Sequence, residues 1–590
     1  MSLDEDVLDL GSAGTVRKFW GKVTGPCRLL NNQQVTASLV IAVEIFVASL
    51  LVWTVPGNCA AAAEPATAAL PNPSSPTRNP KIRPRGGVQL QFIGRFRHSE
   101  KSGTSATEIT AFDPSTRQLF VVNVEDQAID VLDLSQPALP VRVDQIYVSA
   151  LGIPTSVSAR AGRVVASVAA EDRRQRGHVV LIDPARRKII HQIEVGYEPD
   201  CVALTNDGKL LVVANEGSPN ENYDFDPEGT ISLIEIPDDL AQIANAEITT
   251  IDFRRYNDDP EKMGPGVRIF GPQATVAQDL EPEYITISAD SQRAWVSLQE
   301  NNAIATIDLE QKSLISVQGL GYKDHSQPGN GFDASDRDQA INIRPWPVKG
   351  LYQPDGLANF VSHGKRYLVT ANDGKDRDYE GFSERAMVSD LQLDPRRFPQ
   401  ATELQKPENL GRLRVSKTTG DLNGNGLIDE LHAFGGRSFS IWDEQFHQVF
   451  DSGDQFESIV ASQQPHDFNS DHEKREFDSR SAAKGPEPES VVVTEIGTKK
   501  IAIIGLERQS GLMVYDVTNP AKPVFEQFLS TRSESTPSDI VSPTGHEGDL
   551  GPEGLLVIPA QDSPTKTPLL VVANEISNTT VIYEIRLRTP

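Results

Sequence analysis

A chain of 590 residues with a formal net charge of −26 and a pI of about 4.9 is poorly suited to bind nucleic acid or an anionic membrane surface, and its excess of carboxylates favours cations and basic partners. Of its three cysteines, Cys27, Cys59 and Cys201, only the last lies beyond the first sixty residues, so the folded part has no disulfide framework and at this size needs none.

The first sixty residues differ in kind from the rest. Arg17, Lys18, Lys22 and Arg28 precede an apolar run over 35–55, broken by Glu44 and followed by Cys59 and alanines 60–63. That run is about as long as a membrane span, and the small residues after it suit a signal peptidase. Residues 1–60 therefore read as a signal peptide or an uncleaved signal anchor, and the protein as exported: periplasmic, extracellular or at the cell surface. The only expected membrane contact is through this segment. Residues 61–87 are rich in Ala, Pro and Ser, the composition of an extended linker.

From residue 88 onward the pattern is strand, turn, strand. Residues 88–96 (VQLQFIGRF) alternate apolar and polar as a half-buried strand does, yet have no partner nearby in sequence. Residues 109–112, 119–122, 129–132 and a run near Val141 make one four-stranded unit; 156–159, 164–168, 179–182 and 189–195 make the next. Residues 198–217 (EPDCVALTNDGKLLVVANEG) state the repeat most clearly, with two apolar strands around the turn formers Asn206, Asp207 and Gly208. Asp200 stands at the start of the first strand and Glu216 at the end of the second, ends that lie side by side in an antiparallel pair. The pattern returns as Glu283 with Glu300, Asp355 with Asp373, Glu489 with Glu507 and Glu553 with Glu575, more weakly as Glu108 with Glu125, and in degenerate form from Pro154 to Glu171.

About seven copies of a hairpin unit predict an all-β fold, a seven-bladed β-propeller over 88–590. The last copy, with strands at 555–558, 569–573 and 580–585, is one strand short, and 88–96 is expected to complete it, leaving no open edge. Insertions interrupt the repeats at 219–227, 237–281 and 321–338, and most of all at 373–436, within which residues 385–393 fit either a blade strand or the insertion. Loops of this length are usually functional.

Two constellations carry chemistry. Residues 421–430 (DLNGNGLIDE) set oxygen ligands at alternating positions with a glycine at the sixth, the head of an EF-hand-type calcium loop. Its ligands are expected to be Asp421, Asn423, Asn425, the Leu427 carbonyl and Asp429. His432 stands where a bidentate acid usually closes such a loop, so Glu430 or another group has to assist; a solvated Asn-Gly turn is the bland alternative. The second constellation is the ring of repeat-end acids: Asp200, Glu216, Glu283, Glu300, Asp355, Asp373, Glu489, Glu507, Glu553 and Glu575. First strands line a propeller's channel, so these acids crowd one mouth of it and call for protons, basic neighbours or a cation. Each acid alone is as readily a hairpin cap.

Near the same mouth the loops bring Asp324, His325, Asp333, Asp336, Arg337 and Asp338, and from the other side Arg480, Lys484, His546 and Asp549. Such a mixture suits metal and phosphate together, and Asp324, His325, Arg480 and Lys484 are the candidate catalytic residues if the protein is an enzyme. No GxSxG, Walker A, HExxH or CxxC motif occurs, and His472 lacks a second histidine at zinc-helix spacing.

Residues 321–338 (GYKDHSQPGNGFDASDRD), 371–384 (ANDGKDRDYEGFSE), 434–442 (FGGRSFSIW) and 477–489 (FDSRSAAKGPEPE) resemble the choice-of-anchor I domain family, exported bacterial propellers with YVTN-like repeats that are similar to mesenchyme-specific cell-surface glycoproteins. The resemblance spans about 89–585. It implies attachment at the cell surface and, because family members often carry acids where this chain has Asn423 and Asn425, a weakened calcium site. Phosphatase names among relatives are a hint by association alone. The resulting expectation is an exported, calcium-binding propeller that binds or scaffolds at the cell envelope, with a divalent cation as first partner and a mineral, a phosphoester or an envelope ligand as the next. The competing reading is a metal-dependent phosphoesterase, with a second metal of unspecified identity.

Overall fold

The architecture, given by a computed structural model that describes residues 82–99, 106–532 and 548–588, follows from where short aliphatic and β-branched runs meet Gly, Asn and Asp turns. The expected signal segment, nearly all of the linker and His546 lie outside the described residues. Among those described, no helix is long and apolar enough to cross a membrane.

The described strands form seven four-stranded antiparallel sheets and one smaller five-stranded sheet. In each four-stranded sheet the strands follow chain order outward, except in the seventh. Second strands such as Gln118–Asn123 and Leu569–Asn574 are buried at every position, so they read as unbroken apolar runs. Fourth strands such as Val141–Tyr147 are mostly exposed. The third sheet shows how a unit is specified: Pro199–Leu204 pairs with Leu210–Asn215, and Gly208 takes the left-handed φ of +68° that the turn between them requires.

First strands pack on one another in sequence. Thr110–Asp113 touches Ile153–Arg160, which touches Pro199–Leu204; the series continues through Ile285–Ile287, Leu357–Ser362, Pro488–Ile496 and Pro552–Ile558, which returns to Thr110–Asp113. All seven contribute to the lining of one cavity of about 350 Å³. Apolar layers fill the spaces between neighbouring sheets, as where Phe439 and Ile441 of the fifth meet Ile504 and Tyr515 of the sixth.

The seventh sheet contains Pro552–Ile558, Leu569–Asn574 and Thr579–Leu587, and its fourth strand is Val88–Arg97, paired antiparallel along Thr579–Leu587. The strand that lacked a neighbour in sequence thus supplies the one that was missing. Leu90 buries its side chain against the same core as Val581, Tyr583 and Ile585.

Two segments differ from expectation. The excursion over 237–281 contains the fourth strand of the third sheet, Ile248–Asp252, whose only buried residue is Ile251; an outer strand with one buried side chain leaves little apolar pattern to read. Residues 385–393 belong to the insertion: Arg385–Met387 joins Arg414–Ser416, His432–Ala433, Lys349–Leu351 and Tyr322–Asp324 in the five-stranded sheet.

Leu90→Ala is expected to lower the melting temperature, with a loss of about 2–5 kcal/mol typical of a buried leucine. Removal of residues 82–97 is expected to expose the Thr579–Leu587 edge and produce aggregation detectable by light scattering. An unchanged melting curve and a monodisperse truncated chain would contradict this role.

Candidate functional site

The repeat places its acids by register. Pro199 pairs with Asn215 across the hairpin, and Glu216 donates its backbone N–H to the Glu198 carbonyl at 2.9 Å, so Asp200 and Glu216 lie at one end of the pair. Glu489 and Glu507, and Glu553 and Glu575, occupy the matching ends of the sixth and seventh sheets, where bulges interrupt the register after Pro488 and Pro552. All ten ring acids fall at the same end of their hairpins, but their surroundings divide them into two groups.

On the side of the third, fourth and fifth sheets, Glu216, Glu283 and Glu300 bring carboxylate oxygens within 4.8 Å of one another. One oxygen of Glu283 and one of Glu300 are buried without a hydrogen-bond partner. Burial, and then Glu300 and Glu216, push Glu283 well above the usual carboxylate range; burial and neighbouring acids do the same to Glu216 and raise Asp200 to about 7. Burial likewise raises Asp355. The nearby positive charge is Lys375, which faces Glu300, Glu283, Glu216 and Asp355 and is held far above its normal value despite desolvation. Arg377 is committed to Asp279 and, at 2.9 Å, to Glu281. Tyr379 and Phe382 of the fifth-sheet insertion meet Tyr223 of the third-sheet insertion edge to face and help to seclude this side.

On the side of the fifth, sixth and seventh sheets the charge is largely closed by protein groups. Lys484 Nζ donates to Asp373 at 2.6 Å and lies 2.9 Å from Glu487. Arg480 also pairs with Glu487, and Arg508 lies 3.4 Å from Glu487 and 3.2 Å from Glu507. Burial would raise Glu487, but Lys484, Arg480 and Arg508 outweigh it and hold the group at about 2. Elsewhere burial and like charge outweigh these cations, raising Asp373 to about 7 despite Lys484 and Glu575 to about 8 despite Arg508, and Glu489 and Glu553 well above their usual range. His472 is also committed. The Arg508 guanidinium donates to Nε2, and Nδ1 faces Glu507 at 3.1 Å. His472, Glu507 and Glu575 bring ligand atoms within 4.8 Å of one another, with Nε2 turned to the Arg508 guanidinium and Nδ1 to the acids.

The other candidates lie elsewhere or are engaged. Asp324 caps a turn, accepting from the Ser326 backbone and the Gln327 side chain at 2.9 and 2.8 Å. His325 is buried against Phe332, with Nδ1 2.6 Å from the Asn330 carbonyl; burial and then Lys323 lower its pKa well below normal. The strand Tyr322–Asp324 that carries this pair belongs to the small sheet, and among the described residues no metal-type cluster joins it to Asp355, Glu489 or Glu553. Arg480 and Lys484 do reach the mouth, but as partners of acids. Asp336 pairs with Arg337 and Arg412, and Asp549 with Arg95.

In the loop at 421–429, Asp421 accepts backbone N–H groups of Asn425 and Gly426 at 3.1 and 2.8 Å, and Asp429 accepts from the Leu422 backbone and the Asn423 amide at 3.0 and 2.9 Å. Asn425 accepts from the Leu427 backbone at 2.8 Å. Gly424 and Gly426 at φ +70° and +82° provide the tight turn. His432 is buried in a strand 3.3 Å from Glu430, so it does not replace the missing acid. The donor set therefore fits calcium only as a partial loop.

Lys375, Glu487, His472 and Arg508 are functional neighbours that sequence reasoning missed. Two signals existed: Lys375 follows Asp373 by two residues, and Arg508 directly follows Glu507.

The family profile of the choice-of-anchor I domain matches residues 108–520. Gigasin-3a of Magallana gigas is 31% identical over 198 residues, 31% of this chain and 67% of that protein. The mesenchyme-specific cell surface glycoprotein of Strongylocentrotus purpuratus is 28% identical over 291 residues, 43% of this chain and 37% of that protein. Among solved structures, the chain is similar to Kuenenia stuttgartiensis hydrazine synthase, at 12% identity and a TM-score of 0.43, over 83% of this chain and 98% of that one. It is also similar to the β-propeller domain of Myceliophteria thermophila Cps50 (Swd1), at 8% identity and a TM-score of 0.38, over 84% and 99%.

Two outcomes follow from the electrostatics. A carboxyl with a raised folded-state pKa keeps its proton where the unfolded chain has released it. The folded state then binds more protons between the unfolded value of 4.5 and about 8 for Glu575, and stability falls as pH rises through that window. Metal-free protein is therefore expected to melt lower at pH 8 than at pH 5.5, and a flat profile would contradict the crowding. Lys484→Met, which strands Asp373 and takes one of three cations from Glu487, is expected to cost about 3–5 kcal/mol, with a larger drop in melting temperature at pH 8 than at pH 5.5.

Proposed function

The chain belongs to the choice-of-anchor I domain family, and from that premise we propose that it is an exported, surface-associated seven-bladed β-propeller that binds a divalent cation, calcium first, at its channel mouth. Seven four-stranded sheets, the cyclic packing of their first strands and the use of Val88–Arg97 as a fourth strand support the seven-bladed reading. The name of the sea-urchin relative supports the surface location. The N-terminal segment is the natural means of export.

The observation that carries the cation reading is the convergence of Glu216, Glu283 and Glu300, with buried oxygens of Glu283 and Glu300 unpaired. Three carboxylates form an all-oxygen, hard ligand set that suits calcium. Asp421, Asn423, Asn425, Leu427 and Asp429 make a second, weaker calcium loop. The biological role is binding or scaffolding rather than catalysis. Arg480, Lys484 and Arg508 are held by Glu487, Asp373 and Glu507, which leaves them poorly placed to grip a phosphate. A phosphoesterase remains the second reading, favoured by the cluster of Asp373, Glu489 and Glu507 oxygens beside these cations.

Calcium added to metal-free protein at pH 8 is expected to raise the melting temperature, with about 2.7 kcal/mol of stabilisation at a hundredfold excess over Kd. Glu300→Gln is expected to remove most of that gain and Asp421→Ala a smaller, separable part. No calcium response in the wild type overturns the cation reading. Phosphoester turnover with calcium, iron or zinc that disappears in folded Glu489→Gln overturns the scaffold in favour of the enzyme.

A further inference from the structure

Away from the ring, the loop before the fifth sheet and the segment before the sixth bring together Asp333, Asp338 and Asp478, whose carboxylate oxygens lie within 4.8 Å of one another. Asp333 is fully buried and Asp478 is 3% exposed, while Asp338 is half-buried and opens towards solvent. Among the described residues none of the three is in an ion pair. Nearby arginines are engaged with other groups: Arg437 donates to Glu457 at 2.7 Å and to three backbone carbonyls, that of Asp333 among them, Arg344 donates to Asn409 at 2.8 Å and stacks on Trp346, and Arg337 pairs with Asp336.

The carboxylates are oriented but not satisfied. Asp333 accepts the backbone N–H of Ser335 at 3.3 Å and of Asn342 at 2.5 Å; Asp338 accepts the Ala340 backbone at 3.1 Å and the Asn342 amide at 3.2 Å. Asp478 accepts the Ser481 hydroxyl with one oxygen at 2.5 Å. Its other oxygen is buried and has no partner. A buried carboxylate oxygen without a hydrogen bond, facing two further carboxylates, is costly to keep. A hard dication relieves both the repulsion and the unsatisfied oxygen, and the all-oxygen ligand set excludes a thiolate- or imidazole-loving metal.

We infer that Asp333, Asp338 and Asp478 form a divalent-cation site of the calcium class that clamps the loop before the fifth sheet onto the segment before the sixth. This site is independent of the channel mouth and shares no ligand with it. Glu457 of the helix Gln455–Gln463 accepts the Asp333 backbone N–H at 2.8 Å, so the clamp also fixes that helix.

The test uses the full chain freed of metal with a chelator, titrated with terbium as a hard-cation probe and then with calcium. Trp346, whose indole donates to the Phe332 carbonyl at 3.1 Å, is the neighbouring sensitiser. Tryptophan-sensitised terbium emission is expected in the wild type and in Glu300→Gln, and is expected to be lost in Asp478→Asn. Asp478 sits at φ +67°, a conformation asparagine tolerates, so the variant keeps the backbone. Calcium bound after desalting is expected to fall by one equivalent in Asp478→Asn. In chelator this variant should melt no lower than the wild type, because one like charge is gone; in calcium the wild type should melt higher. Emission and stoichiometry unchanged in Asp478→Asn, or a lower melting temperature in both conditions, overturns the site. If Asp478→Asn does not fold, half-buried Asp338→Asn carries the same readouts and decides in the same way.

Discussion

Like charge gathered in a confined space is the constraint on which the rest of this structure depends. Two carboxylates about 5 Å apart repel by about 3 kcal/mol at an effective dielectric near 20, and this chain gathers carboxylates in threes within 4.8 Å of one another. No hydrophobic layer between sheets relieves that repulsion. Protons, protein cations or a bound ion have to, and which of these acts differs around the ring. Between the sixth and seventh sheets, Arg508 and His472 Nδ1 face Glu507. Between the third and fifth, Lys375 stands against four acids.

The origin of the two populations is topological. Each acid comes from the repeat itself, because a hairpin that begins with an acid and ends with one sets both at the same end. Most of the compensating cations come from outside the repeat; Arg508, directly after Glu507, is the exception. Lys375 and Arg377 begin the excursion inside the fifth sheet, and Arg480 and Lys484 lie on the segment leading into the sixth. A repeat can therefore multiply negative charge by copying itself, whereas most of the charge that neutralises it comes from sequence outside the repeat. This explains why the long loops are ordered against the mouth instead of trailing from it: Gly381 donates to the Glu221 carbonyl at 2.7 Å, joining two insertions.

Much of the fold was legible because its signals are local. The hairpin strands, their turns and their terminal acids recur in sequence, and the unpaired run at 88–96 met the incomplete last repeat because the number of strands required it. What escaped was non-local or weakly patterned. Ile248–Asp252 has one buried residue, so no alternation marks it, and the small sheet is assembled from two- and three-residue strands that carry no period at all. At the site, the acids were readable one by one, but their partners were not. Nothing in the spacing of Glu487 announces that Lys484, Arg480 and Arg508 all converge on it, and nothing near Asp324 or His325 reveals that they belong to a separate small sheet. Charge pairing depends on where loops return, and loop return has no period.

Charge closure then separates structural positions from exchangeable ones. Where a permanent cation is covalently part of the chain, as at Glu487, the carboxylate stays ionised at every physiological pH and its environment is fixed with the fold. Where compensation is incomplete, as at Glu216, Glu283 and Glu300, the site stays responsive to whatever cation or proton the solution offers. Such a site couples the stability of the ring to its surroundings. The propeller's rigidity and its sensitivity therefore have one physical origin: the same repeated acids are locked where several lysines and arginines converge on them, and available for exchange where a single lysine, Lys375, is shared among four acids.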